Sequence, residues 1–408
     1  MAQIVLDLVY SLGNCLNCFP GSPTLKINGR SFKILQLLGE GGFSYVYLVE
    51  DTSGHQLFAL KKIRCPFGAE SVQQAMREVD AYRLFAHVPS IISAFDHSVA
   101  TERGGDEASK TVYILLPYYR RGNLQDMINA NLVNHAQFPE RHLMTLFLGV
   151  CRALRAMHKY KTPVERMEMG DEASAHHEQN SKGGTSSKRT ELEEEGEQER
   201  PLMEAENSVR NSGPGGKTQS YAHRDIKPGN IMIDDSGAAP ILMDLGSVAP
   251  SPIPVSSNSV ALQIQDTAAE HSTMPYRAPE LFDVRTGTVI DTKTDIWSMG
   301  CTLYACLVGK SPFEMRSDET GGTLSLCVLG GDWRFPDEGP AGVKRSNSMR
   351  NPQGSSANAP AAPSASISEP IRQVVRKCLA VEPAERPDID ELIMMVEDVI
   401  DELPEDAE

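Results

Sequence analysis

The sequence predicts an α+β chain of two unequal lobes, a small one built from antiparallel β-hairpins and a larger helical one. Three observations carry that prediction. Alternating segments rich in Val, Tyr and Leu fill 33–64, punctuated by Gly39, Gly41, Gly42 and Gly54. Apolar residues recur at helical spacing through 70–86, 140–159, 293–308 and 370–400. Between these elements, 162–219 and 337–369 show neither period.

In chain order, the hairpins of 33–64 are followed by a helix over 70–86, where Val72, Ala75, Met76, Val79 and Tyr82 share a face. An apolar strand spans 111–117, and a long helix over 140–159 carries Leu143, Leu146, Phe147, Val150, Leu154 and Met157. Residues 162–219 then contain no Phe, Trp, Tyr or Ile and hold 13 acidic against 7 basic residues. Such a segment cannot bury enough apolar surface to offset chain entropy, so it reads as a disordered insert. The Ser-, Ala-, Pro- and Asn-rich stretch 337–369 reads as a second. The expected layout is a tail over 1–30, a small lobe over 31–117, a large lobe over 118–400 carrying both inserts, and an acidic tail over 401–408.

A length of 408 exceeds one ordinary domain, and 40% apolar content suffices for a core. The formal charge of −16 argues against a nucleic-acid partner, which would need clustered Lys and Arg. Cys65, Cys151, Cys301, Cys306, Cys327 and Cys378 lie scattered in apolar surroundings, as reduced buried thiols do. Only Cys15 and Cys18 form a C-x-x-C pair, and no second ligand pair follows to complete a zinc site. The apolar run Ile4–Phe19 is too short to span a bilayer and lacks the basic start of a secretory signal.

Chemistry gathers in four places. Leu38-Gly39-Glu40-Gly41-Gly42-Phe43-Ser44-Tyr45-Val46 lies between two predicted strands, where glycines let backbone N–H groups approach phosphates. Ser44 stands where a G-x-G-x-x-G loop has its third Gly. Lys61, in the apolar strand segment Phe58-Ala59-Leu60-Lys61, needs a partner, and Glu78 on the next helix is the candidate. His223-Arg224-Asp225-Ile226-Lys227-Pro228-Gly229-Asn230 and then Asp244-Leu245-Gly246 are far more specific. Phosphoryl transfer needs oxygen ligands for Mg²⁺, a carboxylate at the acceptor hydroxyl and a cation on the transferred group, and these segments supply all of them.

In that order the motifs resemble the eukaryotic protein kinases across about 31–400 without the inserts. Ala278-Pro279-Glu280, Asp295-Ile296-Trp297-Ser298-Met299-Gly300 and Arg386 match later landmarks of that family. Gly39–Val46, Leu115–Gly122, Tyr221–Asp225 and Met243–Ser247 are similar to the Numb-associated kinase family, nearest to its myristoylated and palmitoylated serine/threonine branch. The resemblance implies a bilobal protein kinase fold and Mg-ATP-dependent transfer to Ser/Thr hydroxyls of protein substrates, with autophosphorylation. It implies that Lys61 contacts the nucleotide phosphates and Glu78 holds it, that Asp225 accepts the hydroxyl proton, that Lys227 contacts the γ-phosphate, and that Asn230 and Asp244 bind Mg²⁺. Leu116 becomes the gatekeeper and Pro117, Tyr118 and Tyr119 the hinge. Leu38, Gly39, Glu40, Gly41, Gly42, Phe43, Ser44, Val46, Ala59 and Met232 complete the ATP site. Leu245 replaces the usual Phe after the metal-binding Asp, and Arg386 pairs with Glu280. Lys227 with Thr273 resembles the serine/threonine pattern. Val260–Glu270 is expected to form a helix inside the activation segment, which would give activity without a required phosphate there.

The competing reading is a pseudokinase scaffold at a membrane, disfavoured because Lys61, Asp225 and Asp244 are all present. Gly215-Gly216-Lys217-Thr218 is not a P-loop, since position 211 is Asn and no strand precedes it. Related kinases of this branch sit on Golgi or vacuolar membranes. Ala2 closes the myristoylation route, which leaves Cys15 and Cys18 as candidate S-acylation sites. A monomer in peripheral contact with the cytosolic face of a Golgi or vacuolar membrane is therefore expected.

Overall fold

Four stretches are described by the computed structural model: 24–101, 109–161, 218–338 and 367–405. Cys15, Cys18, most of the predicted 162–219 insert and the central part of the predicted 337–369 insert lie outside them. The chain separates into two units, Met1–Tyr160 with Gln219–Glu408, and Lys161–Thr218. Both lobes belong to the first unit.

The small lobe is a six-stranded antiparallel sheet in the order β1-β2-β3-β4-β6-β5, with β1 Thr24–Ile27, β2 Arg30–Glu40, β3 Ser44–Asp51, β4 Leu57–Cys65, β5 Asp96–Thr101 and β6 Lys110–Pro117. The first hairpin turns on Asn28-Gly29, both at positive φ, the two-residue turn whose twist suits antiparallel strands. That strand pair starts before 31, so the sheet extends into the predicted tail. Period-two alternation divides β4. Phe58 and Leu60 join Ile27, Phe32, Val49 and Leu115 in an outer cluster, while Ala59 and Ile63 pack with the main core. Lys61 lies on the face of Ala59 and Ile63, the one covered by helix α1 (Gly68–Leu84).

The large lobe begins with α2 (Leu124–Asn134), closed by a capping box between Asn123 and Asp126, and α3 (Glu140–His158). Helix α4 (Asn258–His271) lies in the activation segment, as Val260–Glu270 predicted. Helix α5 (Lys293–Val308) is buried on nearly all sides and forms the centre of the lobe. Around it stand α6 (Pro312–Thr320), α7 (Leu324–Leu329), α8 (Glu369–Cys378) and α9 (Ile389–Glu402). A Cβ on Gly300 would sit 2.6 Å from the Cys378 Cβ, so only Gly allows α5 and α8 to approach this closely.

Several expected boundaries shift. The stretch 370–400 is two helices, because Pro383 and Pro387 cannot continue a helical ladder. Asp337 and Glu338 belong to the folded lobe and bond Arg372 at 2.6 and 3.3 Å, while Glu369 starts α8. Strand Thr218–Ala222 takes the last residues of the predicted first insert. Helix α9 runs to Glu402 with Leu403 buried behind it, so the acidic tail is shorter than expected. Thiol burial is as expected: the six described cysteines are free and buried, and burial pushes Cys306 and Cys378 up to about 12.

Candidate active site

Strand Thr218–Ala222 delivers the chain to His223, and a buried carboxylate fixes the loop that begins there. Asp295, in the first turn of α5, accepts the His223 N–H and the Arg224 N–H, each at 2.8 Å. His158 at the end of α3 bonds the same carboxylate at 2.9 Å. Burial alone would raise the Asp295 pKa, but the His158 and amide bonds hold it below the ordinary value. These contacts hold Arg224 at φ +69°, a conformation a non-Gly residue keeps only under restraint. The His223 ring spans the loop, with Nε2 donating to the Met243 carbonyl at 3.0 Å and Nδ1 accepting the Asp225 N–H at 3.3 Å.

Asp225 is thereby aimed at a cluster of donors. Its Oδ2 accepts Lys227 Nζ at 2.8 Å and Asn230 Nδ2 at 2.9 Å, and its Oδ1 accepts the Thr273 N–H and hydroxyl at 2.8 and 2.7 Å. Lys227 also donates to the Thr273 hydroxyl at 2.6 Å. Asn230 turns its amide nitrogen to Asp225, which leaves its Oδ1 facing away.

The second cluster joins the lobes. Lys61 Nζ donates to Glu78 Oε1 at 2.7 Å and Asp244 Oδ1 at 2.9 Å. Desolvation favours a neutral amine here, but the Asp244 and Glu78 carboxylates outweigh it and raise the Lys61 pKa above its ordinary value. The charge of Lys61 holds Asp244 down to about 2 despite burial. Asp244 adopts φ +62°, and a Cβ on Gly246 would press on Glu78 Oε2 at 3.3 Å, so Gly suits the position beside the ion pair. Leu245 is buried, an apolar filler where the family pattern has Phe.

Above the Lys61–Glu78–Asp244 cluster, strand register lines up the remaining candidates. Val46 pairs with Lys61 and Ala59 with buried Leu116, Pro117 ends β6, and Asn123 bridges to Met232 just past Tyr118 and Tyr119. Leu38, Gly39 and Glu40 close β2 and Ser44 opens β3, with Gly41 N–H bonded to the Ser44 carbonyl at 2.8 Å. A Cβ on Gly41 would lie 2.9 Å from Ser44 Oγ, and Gly42 is open. Phe43 is more than half exposed and meets Phe67 edge-on at 5.9 Å.

The activation segment docks through its helix. The His271 carbonyl at the end of α4 accepts Ser247 Oγ at 2.6 Å, and His271 Nε2 meets Gln74 Nε2 of α1 at 2.9 Å. Arg386 Nη1 and Nη2 reach the two oxygens of Glu280 at 2.7 and 2.9 Å, as the resemblance implied. Sequence reasoning missed Tyr82, whose hydroxyl donates to Glu78 Oε1 at 2.7 Å. At helical spacing it read only as core. It also missed His158 and the link from Gln74 to His271, since neither position carries a motif.

Residues 32–163 and 218–396 match the protein kinase domain family. The chain belongs to the protein kinase family. Its enzyme class is that of a serine/threonine-protein kinase. It is 33% identical to the serine/threonine-protein kinase ppk13 of Schizosaccharomyces pombe, over 91% of each chain. It is 33% identical to the serine/threonine-protein kinase ENV7 of Saccharomyces cerevisiae, over 98% of this chain and 100% of that one. With serine/threonine-protein kinase 16 of Rattus norvegicus the identity is 32%, over 95% of each. The family match breaks between 163 and 218, where the first insert was expected. Protein kinases use ATP and Mg²⁺.

Proposed function

We propose that this kinase transfers the γ-phosphoryl group of ATP to Ser and Thr hydroxyls of proteins, itself included, with Asp225 as the group that accepts the hydroxyl proton. The observation that carries the reading is the Asp225–Lys227–Thr273 contact set. A threonine hydroxyl already lies within hydrogen-bond reach of both the carboxylate and the ammonium, the geometry an acceptor hydroxyl requires. Lys227, on the same atoms, balances charge that develops on the transferred group. Lys61, held charged by Glu78 and Asp244, stands ready for the nucleotide phosphates. Val46, Ala59, Leu116 and Met232 supply the apolar walls for the base, beside the hinge Pro117–Tyr119.

The donor chemistry fits Mg²⁺. Asp244 Oδ2 and Asn230 Oδ1 are hard oxygen acceptors whose sister atoms are engaged by Lys61 and Asp225, so these two would hold the metal. Bound there, Mg²⁺ neutralises phosphate charge.

We further propose that the chain belongs to the Numb-associated kinases and attaches through S-acylated Cys15 and Cys18 to the cytosolic face of a Golgi or vacuolar membrane, acting in trafficking. The apolar run Ile4–Phe19 supports this, because one or two acyl chains beside such a run give reversible to stable anchoring. Among the described residues no helix is long and apolar enough to cross a membrane. The catalytic reading is tested with purified Lys61→Met and Asp225→Asn variants and radiolabelled ATP. Loss of transfer by at least about a hundredfold in protein that remains soluble and folded at the assay temperature is expected. Wild-type rates in either variant would remove the assignment.

A further inference from the structure

Glu78 must present one oxygen to Lys61 with three side-chain torsions free to turn it elsewhere. Tyr82 lies one helical turn further along α1, on the same face. Its hydroxyl donates at 2.7 Å to Oε1, the same oxygen that receives Lys61 at 2.7 Å. Two donors on one oxygen fix the carboxylate, because rotating it breaks both bonds. The ring is 1% exposed and in the main core with Leu245, so the hydroxyl cannot swing to solvent.

A buried tyrosine needs some acceptor, and any backbone carbonyl would serve. This one uses the carboxylate that orients Lys61. We propose that Tyr82 is a positioning residue for phosphoryl transfer. Through its hydroxyl it pre-orders Glu78, and so fixes Lys61 for the ATP phosphates. The inference rests on the phosphate-binding role proposed for Lys61. Tyr82 touches neither nucleotide nor acceptor; it acts through Glu78.

The test is a cycle on the full chain with radiolabelled Mg-ATP and myelin basic protein as acceptor, comparing wild type, Tyr82→Phe, Glu78→Gln and the double variant. Radiolabel keeps the slow Glu78→Gln reactions measurable. Tyr82→Phe is expected to lower kcat/KM for ATP about tenfold, the usual scale for a hydrogen bond to a charged group, with KM for the acceptor protein unchanged. In the Glu78→Gln background the same change should cost less than about twofold, because the group it acts through is already altered. Tyr82→Leu, which fills the site without a hydroxyl, should lose as much as Tyr82→Phe. Wild-type kcat/KM in Tyr82→Phe overturns the inference. So does a loss that persists in full in the Glu78→Gln background or tracks the folded fraction in thermal melts, since that is a packing effect. A fully active Lys61→Met variant would instead remove the role given to Lys61 itself.

Discussion

Replacing Glu280 by Ala should destabilise the large lobe more than almost any other single surface-proximal change. All five N–H donors of Arg386 are engaged. Nε bonds the Ala380 carbonyl at 2.8 Å, and Nη1 bonds Glu280 at 2.7 Å and the Lys293 carbonyl at 2.9 Å. Nη2 bonds Glu280 and the Val381 carbonyl, each at 2.9 Å. The guanidinium is fully buried and lies 5.0 Å over the Trp297 ring. Glu280→Ala strips two of the five acceptors and the compensating charge, while the cation stays buried. Two charge-assisted bonds at about 1.5–3 kcal/mol each suggest a loss of about 3–6 kcal/mol. Broken buried pairs cost about 3–5 kcal/mol, in agreement. Against a total stability of roughly 5–15 kcal/mol this is a large fraction. Urea unfolding followed by tryptophan fluorescence reads it directly, because Trp297 lies under the guanidinium. With a slope near the upper end of about 1–3 kcal/mol per M, the midpoint should fall by at least roughly 1 M. Glu280→Gln, which keeps one good acceptor, should lose about half as much. A Glu280→Ala midpoint within about 0.2 M of wild type, at unchanged slope, would refute the reasoning.

Three further outcomes are expected. The Asp244 carboxyl is held at about 2 from an ordinary 3.8, so the unfolded chain takes up its proton first; the stability it contributes is present above pH 3.8 and lost as pH falls towards 2. The urea-midpoint gap between wild type and Asp244→Asn should therefore shrink from about pH 5 to about pH 2.5, and a constant gap would contradict the linkage. Deleting 165–217 should leave kcat within about twofold and the thermal midpoint nearly unchanged, since closing a long or a short loop differs little in entropy; collapse of activity would show that the insert is part of the catalytic unit. For the membrane, wild type should pellet with vesicles from cells while Cys15→Ser/Cys18→Ser stays in the supernatant, and equal partitioning would remove the acyl anchor.

Legibility in the sequence depended on what each signal encodes. Lys61, Glu78, Asp225, Asn230 and Asp244 were legible because chemistry restricts residue type and spacing there, and helix α5 was legible because a helix buried all round writes an apolar run. Helix α4 could be foreseen from its apolar spacing and the family likeness. Tyr82 was invisible as a hydrogen-bond donor, since a tyrosine at a core position looks like any other large apolar residue until its hydroxyl has a place to go. Helices α6 and α7 escaped for a different reason. They are short, so neither repeats an apolar period, and the capping box of Ser311 with Glu314 marks only the start of α6. The break between α8 and α9 could have been read from Pro383 and Pro387, whose message the apolar period over 370–400 masked. Strand β1 lay beyond the expected start of the lobe, and the Asn28-Gly29 dipeptide was the available sign of it.

The pairing of α3 with α9 bears on how this protein is made. Arg141 of α3 donates to the carbonyls of Ile400 and Leu403, partners 259 and 262 residues away along the chain. Lys159 at the other end of α3 reaches Asp390, 231 residues on. At about 5–20 residues per second, a ribosome finishes α9 roughly 10–50 s after α3 has emerged. Throughout that interval α3 has formed its apolar face but lacks the helix that completes its setting. Closure of the large lobe is thus a late event of synthesis, and a nascent chain stalled before 389 would leave the α3 surface uncovered.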